Sequence, residues 1–169
     1  MPVPNPEHLL QQADRLTIGA GAGAPRQVDL RRAISAAYYA VFHAVLAAAA
    51  DEFVGATRRS TKQYALVYRS IDHRRLREIC TEAQKPNLPA KFAEYAPSRG
   101  LGNNIRAFSV AFLDLQKKRH AADYDPLTRF KGSDAIVAAT TPRTALRRPP
   151  KANSTNRKAF LSLLLFQPR

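Results

Sequence analysis

Apolar residues recur every three or four positions in several separated stretches of the chain, which is the pattern of amphipathic helices. The longest stretch, residues 27–51, combines alanines of high helix propensity with larger apolar residues and predicts a long core helix. The same spacing predicts shorter helices at residues 6–18, 61–68, 74–84 and 103–124, and others from 133 and from 154 onward. The sequence shows neither the alternation typical of strands nor an internal repeat. It therefore predicts an all-α fold, an antiparallel up-and-down helical bundle.

Capping residues indicate where several of these helices begin. Asn5 is a favourable N-cap with Pro6 in the first helical position, and Asn103 or Asn104 is expected to cap the helix that follows. Ser154 is expected to cap the last helix. Each cap satisfies backbone amides that have no partner within the first helical turn.

Glycines and prolines interrupt the helical pattern. The run GAGAGA at residues 19–24 follows a helix and lacks the Gly-Lys-Ser/Thr ending of a phosphate loop, so we interpret it as a flexible connector. The prolines between residues 140 and 150 predict a broken or poorly ordered stretch. The apolar segment 159–166 is expected to pack on the bundle or on a second subunit.

These interruptions suggest three regions. Residues 1–25 form an N-terminal helix and its connector, and residues 26–146 form the helical bundle. Residues 147–169 form a basic, proline-rich tail that ends in the apolar helix.

The composition indicates a folded and strongly basic protein. The 169 residues include 27 Lys and Arg against 13 Asp and Glu, a net charge of +14, and residues 126–169 hold nine basic side chains and one acidic one. Such an excess could attract phosphate backbones or acidic protein surfaces. The single cysteine, Cys80, excludes an internal disulfide framework and a zinc site, and no cofactor or metal is expected.

The location is expected to be the cytoplasm. The first residues do not resemble a secretory signal, and no apolar run is expected to approach the roughly 20 residues that cross a bilayer. No membrane association is therefore expected.

The polar cluster at residues 117–125 is the most informative local feature. One helical turn separates Arg119 from Asp123 and His120 from Tyr124, so each pair lies on neighbouring parts of one surface. Arg119 could hold a phosphate, His120 could move a proton near neutral pH, and Tyr124 could orient or donate. The structural alternative is a surface ion pair between Arg119 and Asp123, with Asp125 capping the turn at Pro126.

Two segments carry a resemblance to a known family. RRAISAAYYAVFHAVL (residues 31–46) and LQKKRHAADYDP (residues 115–126) together resemble the HEPN superfamily, in the branch with an Ala-Tyr-Tyr-Ala first core helix and an Arg...Ala-Asp-Tyr motif. The likeness covers about residues 27–146. It implies a helical bundle that acts as a homodimer in a prokaryotic toxin-antitoxin or defence-type system. Members of this family cleave RNA without metal, bind nucleotides, or act beside a minimal nucleotidyltransferase partner.

The resemblance also implies roles for individual residues. Arg119 occupies the motif arginine, His120 the variable polar position after it, and Tyr124 lies about where active members have a catalytic histidine. Since no histidine follows an arginine at the family's spacing, the ribonuclease motif is degenerate. Tyr124, Arg119 and His120 are therefore the candidate catalytic residues, in a rearranged site in which His120 would be the base.

Further candidate residues lie around this motif. The candidate substrate-binding residues are Tyr39, His43, Lys118 and Asp123. His43 is interpreted first as a core histidine and only second as a cleft residue. Cys80 is interpreted as a buried, inert thiol, and His73 as part of a solvated helix start.

Three functions remain open from the sequence. The first is a dimeric RNA- or nucleotide-binding protein with a degenerate motif, with or without a nucleotidyltransferase-type partner. The second is an active, metal-independent endoribonuclease that uses Arg119 and His120. The third is a basic helical scaffold that binds nucleic acid through residues 143–158 without chemistry.

Overall fold

A computed structural model of the chain describes residues 3–18 and 23–168. Within these ranges the regular structure is helical, without strands, which confirms the all-α prediction. The helices are α1 (Pro6–Ile18), α2 (Gln27–Phe53), α3 (Lys62–Arg69), α4 (His73–Ala83), α5 (Ala90–Ala93), α6 (Gly102–Tyr124), α7 (Gly132–Leu146), α8 (Arg148–Lys151) and α9 (Ser154–Leu165). A short 3₁₀ turn, Ala56–Arg58, lies between α2 and α3.

The first helix begins as its capping residue predicts. The Asn5 side chain accepts a hydrogen bond from the Glu7 amide at 3.0 Å, and the helix starts at Pro6. Leu10 and Ala13 are buried where α1 packs against α2 and α7. Most of the connector predicted after it, residues 19–22, lies outside the described residues.

Helix α2 is the central helix of the fold. It contacts α1, α3, α6, α7 and α9, and its buried alanines, among them Ala33, Ala37 and Ala40, let these neighbours approach closely. By length and composition α2 could cross a membrane, so the sequence-based statement that no segment is long and apolar enough is wrong. Of its most apolar window, 67% is buried inside the fold, the arrangement of a core helix.

Two predicted caps differ from the structure. Helix α6 begins at Gly102, so neither Asn103 nor Asn104 is its N-cap. Asn104 instead donates a hydrogen bond to the Lys151 carbonyl at 3.1 Å, because the end of α8 packs against the start of α6. Asn153, not Ser154, caps α9, and its side chain accepts from the Thr155 amide at 2.8 Å.

The prediction of a broken stretch around the prolines is wrong for most of its length. Helix α7 continues through Pro142 to Leu146 although proline donates no backbone hydrogen bond. Pro142 is buried, and the hydroxyl of Thr141 donates to the Val137 carbonyl at 2.7 Å. Packing of α7 on α2 and α6 outweighs the local preference. Pro149 lies in the first turn of α8, where a missing amide hydrogen costs little.

The C-terminal helix packs on the bundle. Phe160, Leu161, Leu163 and Leu164 are buried where α9 contacts α2, α4 and α6. The buried Arg75 side chain donates to the carbonyls of Leu163 and Phe166 at the end of α9. A guanidinium at a helix C-terminus satisfies carbonyls that lack helical partners, so Arg75 ties α4 to α9.

Candidate functional site

The structure brings the two segments of the family resemblance together. Helix α6 packs along α2, and Nη2 of Arg119 donates a hydrogen bond to the phenolic oxygen of Tyr39 at 2.8 Å. The carbon at the centre of the Arg119 guanidinium lies 5.6, 5.4 and 5.2 Å from the ring centres of Tyr38, Tyr39 and Tyr124. Three aromatic rings therefore surround one cation, an arrangement that stabilises its charge.

The carboxylate of Asp123, near the end of α6, already has two partners. Asp123 lies 2.6 Å from Nε of Arg119 and also accepts a hydrogen bond from Ser35. The Nε hydrogen is not directed at the oxygen, so the first contact is an ion pair without a hydrogen bond. The predicted ion pair is thus present, and it coexists with the cleft described below.

Asp125 closes the end of the same helix. Its carboxylate accepts hydrogen bonds from the Leu127 amide and the Thr128 hydroxyl, which lower the pKa of Asp125 below its ordinary value. It acts as the turn cap that the sequence offered as an alternative.

An open cleft of about 620 Å³ lies between α4 and the last turns of α6, bordered by α2. Its lining residues are Tyr38, His73, Arg77, Thr81, Leu113, Gln116, Lys117, Arg119, His120, Ala121 and Asp125. Arg119 and His120 of the predicted site therefore share one cavity. Tyr124 does not line it, but its ring lies 5.1 Å from the His120 ring, at the edge of the cleft.

His73 belongs to this cleft, and the sequence interpretation of a solvated helix start is wrong for it. Its ring stacks on Phe42 with centres 3.9 Å apart, and Nδ1 shares a hydrogen bond with the Tyr38 hydroxyl at 2.8 Å. Burial, and then the nearby charge of Arg119, lower the pKa of His73. Its position in the first turn after the Asp72 cap was visible in the sequence, but no spacing rule linked it to α6.

Tyr38 is the second cleft residue that sequence reasoning did not select as a site residue. It is almost completely buried, and burial raises its pKa to about 12, so its hydroxyl keeps its proton. Gln116 on α6 lowers this pKa in part, and the ring centre of Phe112 on α6 lies 5.6 Å from that of Tyr38. Tyr38 thus connects α2 with both walls of the cleft.

The other predicted substrate-binding residues lie outside the cleft lining. The Tyr39 hydroxyl accepts the hydrogen bond from Arg119 described above. His43 forms a hydrogen bond with the Tyr68 hydroxyl at 2.7 Å. Burial lowers the pKa of His43, as expected for the core role. Lys118 forms an ion pair with Asp114 at 2.7 Å, whereas its neighbour Lys117 lines the cleft.

Arg31 on α2 forms hydrogen bonds that hold the end of α6 in place. Its guanidinium donates to the backbone carbonyls of Ala121, Ala122, Asp125 and Thr128. The Ala121 carbonyl also accepts from the Asp125 amide, whereas the other three lie at or beyond the end of α6, where carbonyls lack helical partners. Arg31 is therefore a positioning residue, since the direction of the last turn determines where Arg119 and His120 lie.

The geometry suits a ligand with negative charge. Arg77 and Lys117 face the cleft without an ion-pair partner among the described carboxylates, while Asp125, the single acidic lining residue, already accepts two hydrogen bonds. In residues 3–18 and 23–168 no group of three or more His, Cys, Asp or Glu side chains is arranged to hold a metal ion. A phosphate group matches the lining through charge and hydrogen bonding.

Comparison with protein-family models, with curated proteins and with solved structures gives no match to this chain.

Proposed function

We propose that this chain is a HEPN-like, homodimeric protein that binds RNA or a nucleotide in a prokaryotic toxin-antitoxin or defence-type system, with a degenerate ribonuclease motif. The single observation that carries the proposal is the cleft in which Arg119, Lys117 and Arg77 surround one open volume. The HEPN-like, antiparallel arrangement of the bundle is part of the same proposal.

The chemistry of the cleft favours a phosphate ester over an uncharged ligand. A guanidinium can bind two phosphate oxygens at once, and an ammonium adds charge without fixed direction. Arg119 is held by Tyr39 through one nitrogen, so its orientation is fixed before a ligand arrives. Fixed donors lose little entropy when they bind, which strengthens the interaction.

Two adjacent lysines provide the experiment. Lys117 lines the cleft, and Lys118 is paired with Asp114 outside it. Binding of a fluorescently labelled oligouridylate would be measured by anisotropy at constant salt. We expect Lys117→Gln to weaken binding severalfold and Arg119→Gln to weaken it about tenfold or more. Lys118→Gln should change it less than about twofold.

Equal effects of the two lysine variants would contradict the proposal, because net charge rather than the cleft would then govern binding. Circular dichroism of each variant checks that the helices are intact. Lys117 is exposed, so its replacement tests the cleft even where Arg119→Gln disturbs the fold.

A metal-independent endoribonuclease is the second candidate function. The observation that favours it is the presence of two histidines, His73 and His120, in the cleft of Arg119. The lowered pKa of His73 keeps it neutral near pH 7, the form that accepts a proton from a ribose 2′-hydroxyl. Incubation with mixed RNA in EDTA tests this function. Absence of cleavage, or cleavage that survives His120→Ala, His73→Ala and Arg119→Ala alike, would remove it.

The third candidate function, a scaffold that binds nucleic acid through residues 143–158, is weakened by ion pairs within that segment. Arg143 pairs with Asp14 at 2.7 Å, and Glu52 lies 3.5 Å from Arg157 and 3.7 Å from Lys158. Three of the six cations in residues 143–158 therefore already have carboxylate partners, which lowers the charge available to a nucleic acid.

The dimer and the nucleotidyltransferase-type partner remain parts of the proposal. Leu127, which follows α6, is 88% exposed, and such apolar exposure suits a contact between two copies. Light scattering after size exclusion should give twice the mass of the chain, and Leu127→Glu should shift it to the monomer. Co-purification tests the heterologous partner.

A further inference from the structure

We infer that the cleft is one end of a groove that binds a single RNA strand several nucleotides long. This inference rests on the proposed function and chooses an RNA strand over a free nucleotide. The lining already suggests an elongated shape, since it runs from His73 to Thr81 on α4 and from Leu113 to Asp125 on α6. At about 1.5 Å per residue the α6 side alone is about 18 Å long.

The face of α6 that lines the cleft continues beyond it. Residues 106, 110, 113, 117, 120 and 124 follow one another at spacings of three or four, so they lie on one side of the helix. Arg106 lies at the far end of this face, and Nη2 reaches the Lys85 carbonyl just after α4 at 3.5 Å. Helices α4 and α6 therefore flank the groove from His73 to Arg106.

Cations are spaced along the groove rather than concentrated at one point. Arg119 and Lys117 lie at one end, Arg77 on the opposite wall, and Arg106 at the other end. None of Arg77, Lys117 and Arg106 forms an ion pair with a carboxylate in the part of the chain that the structure describes. Spaced, uncompensated cations match the repeating phosphates of a strand, whereas one nucleotide could use only the cluster at one end.

An exposed aromatic ring lies at the cleft end of the same face. Tyr124 is 62% exposed and is in contact with His120 and Arg119. Bases of single-stranded RNA stack on such rings while their phosphates follow a basic groove. From Arg106 to Tyr124 the helix spans about 27 Å, which is long enough to follow a single strand over several nucleotides.

The experiment compares ligand length. Uridine monophosphate and oligouridylates of about four, eight and twelve nucleotides would be titrated against the full chain at two salt concentrations. We expect affinity to rise about tenfold or more between the monophosphate and the eight-mer, and little beyond it. Arg106→Gln should weaken binding of the eight-mer severalfold and reduce the salt slope by about 0.7, without changing binding of the monophosphate.

Arg15→Gln is the matched control, because Arg15 is exposed on α1, which packs against α2 and α7. It removes the same charge and should leave every affinity within about twofold. If the chain bound the monophosphate and the eight-mer with equal affinity, and Arg119→Gln abolished binding of each, the groove would be overturned. The proposed function would remain intact. If the unmodified chain bound neither the monophosphate nor any oligouridylate, both the groove and the proposed function would be overturned.

Discussion

Arg119 and Tyr39 connect the last turns of α6 to the middle of α2 through a hydrogen bond of 2.8 Å between Nη2 and the phenolic oxygen. The two residues are 80 positions apart in the sequence, so only the packing of α2 against α6 brings them together. The bond occupies one guanidinium nitrogen and orients the rest of the group. The cleft therefore depends on a contact between the two segments that carry the family resemblance.

Removal of the Tyr39 hydroxyl tests this connection. Tyr39→Phe should lower the free energy of unfolding by about 1 kcal/mol, because the charged Arg119 donor loses a partly buried acceptor. Urea denaturation followed by circular dichroism measures the change. Tyr124→Phe is the control, since Tyr124 is exposed, and it should stay within about 0.5 kcal/mol of the unmodified chain. Equal stability of the two variants would show that the hydrogen bond contributes nothing.

Arg31 should be among the most sensitive surface-accessible positions. Arg31→Met keeps much of the side-chain volume but removes the donors to the four carbonyls at the end of α6. We expect a loss of about 3 kcal/mol in urea denaturation, since each hydrogen bond from a charged group contributes about 1.5–3 kcal/mol and the bonds are not additive. The neighbouring Arg32 is exposed, and Arg32→Met should cost less than about 0.5 kcal/mol. Comparable losses would contradict the positioning role.

Stability should decrease on mild acidification. The pKa values of His43 and His73 are lowered in the native state, by burial first, then by the charge of His73 on His43 and of Arg119 on His73. Asp72 opposes this effect at His73. The unfolded chain therefore binds protons that the native state does not, so the contribution is fully present above pH about 6.5 and is lost as pH falls towards the native pKa values.

Urea unfolding at pH 7.5 and pH 5.0 measures this dependence. The decrease should be smaller in His73→Gln than in the unmodified chain, because one of the two shifted groups is removed. His8 is exposed on α1, so His8→Gln should keep the full decrease. An unchanged decrease in His73→Gln would contradict the assignment.

The Cys80 thiol should be unreactive in the native protein. It is fully buried in the core, and burial raises its pKa to about 12, although a hydrogen bond with Ser109 lowers it in part. Thiolate is the reactive form, so both access and ionisation are unfavourable. A chromogenic disulfide reagent should label the thiol only slowly in buffer and completely in concentrated urea. Rapid labelling of the folded chain would indicate that the core opens locally at α4.

Patterns local in sequence predicted most helices and the broad role of α2. Helices α1, α3 and α4 begin within one residue of their expected starts, because the caps and apolar spacing act over a single turn. The burial of Cys80 followed from its place on the apolar face of α4. In the site, Arg119 and His120 could be named from their cluster, whereas Tyr39 was expected to bind substrate and instead accepts a hydrogen bond from Arg119.

Contacts between distant elements decided the rest. Local preference predicted an interruption at Pro142, but burial of α7 against α2 and α6 stabilises the continuous helix. The position of His73 was also decided by distant elements. Its local sequence is that of a solvated helix start, but packing against α2 and α6 gives it Phe42, Tyr38 and Arg119 as neighbours.

By itself the sequence determined that this chain forms helices, where most of them lie, and that its surface is basic, because periodicity, capping and charge are properties of neighbouring residues. The tertiary structure decided which cations share a cleft, which are neutralised by carboxylates, and which arginines hold helix ends instead of ligands. Those outcomes depend on side chains far apart in the chain, whose distances are set only when the helices pack.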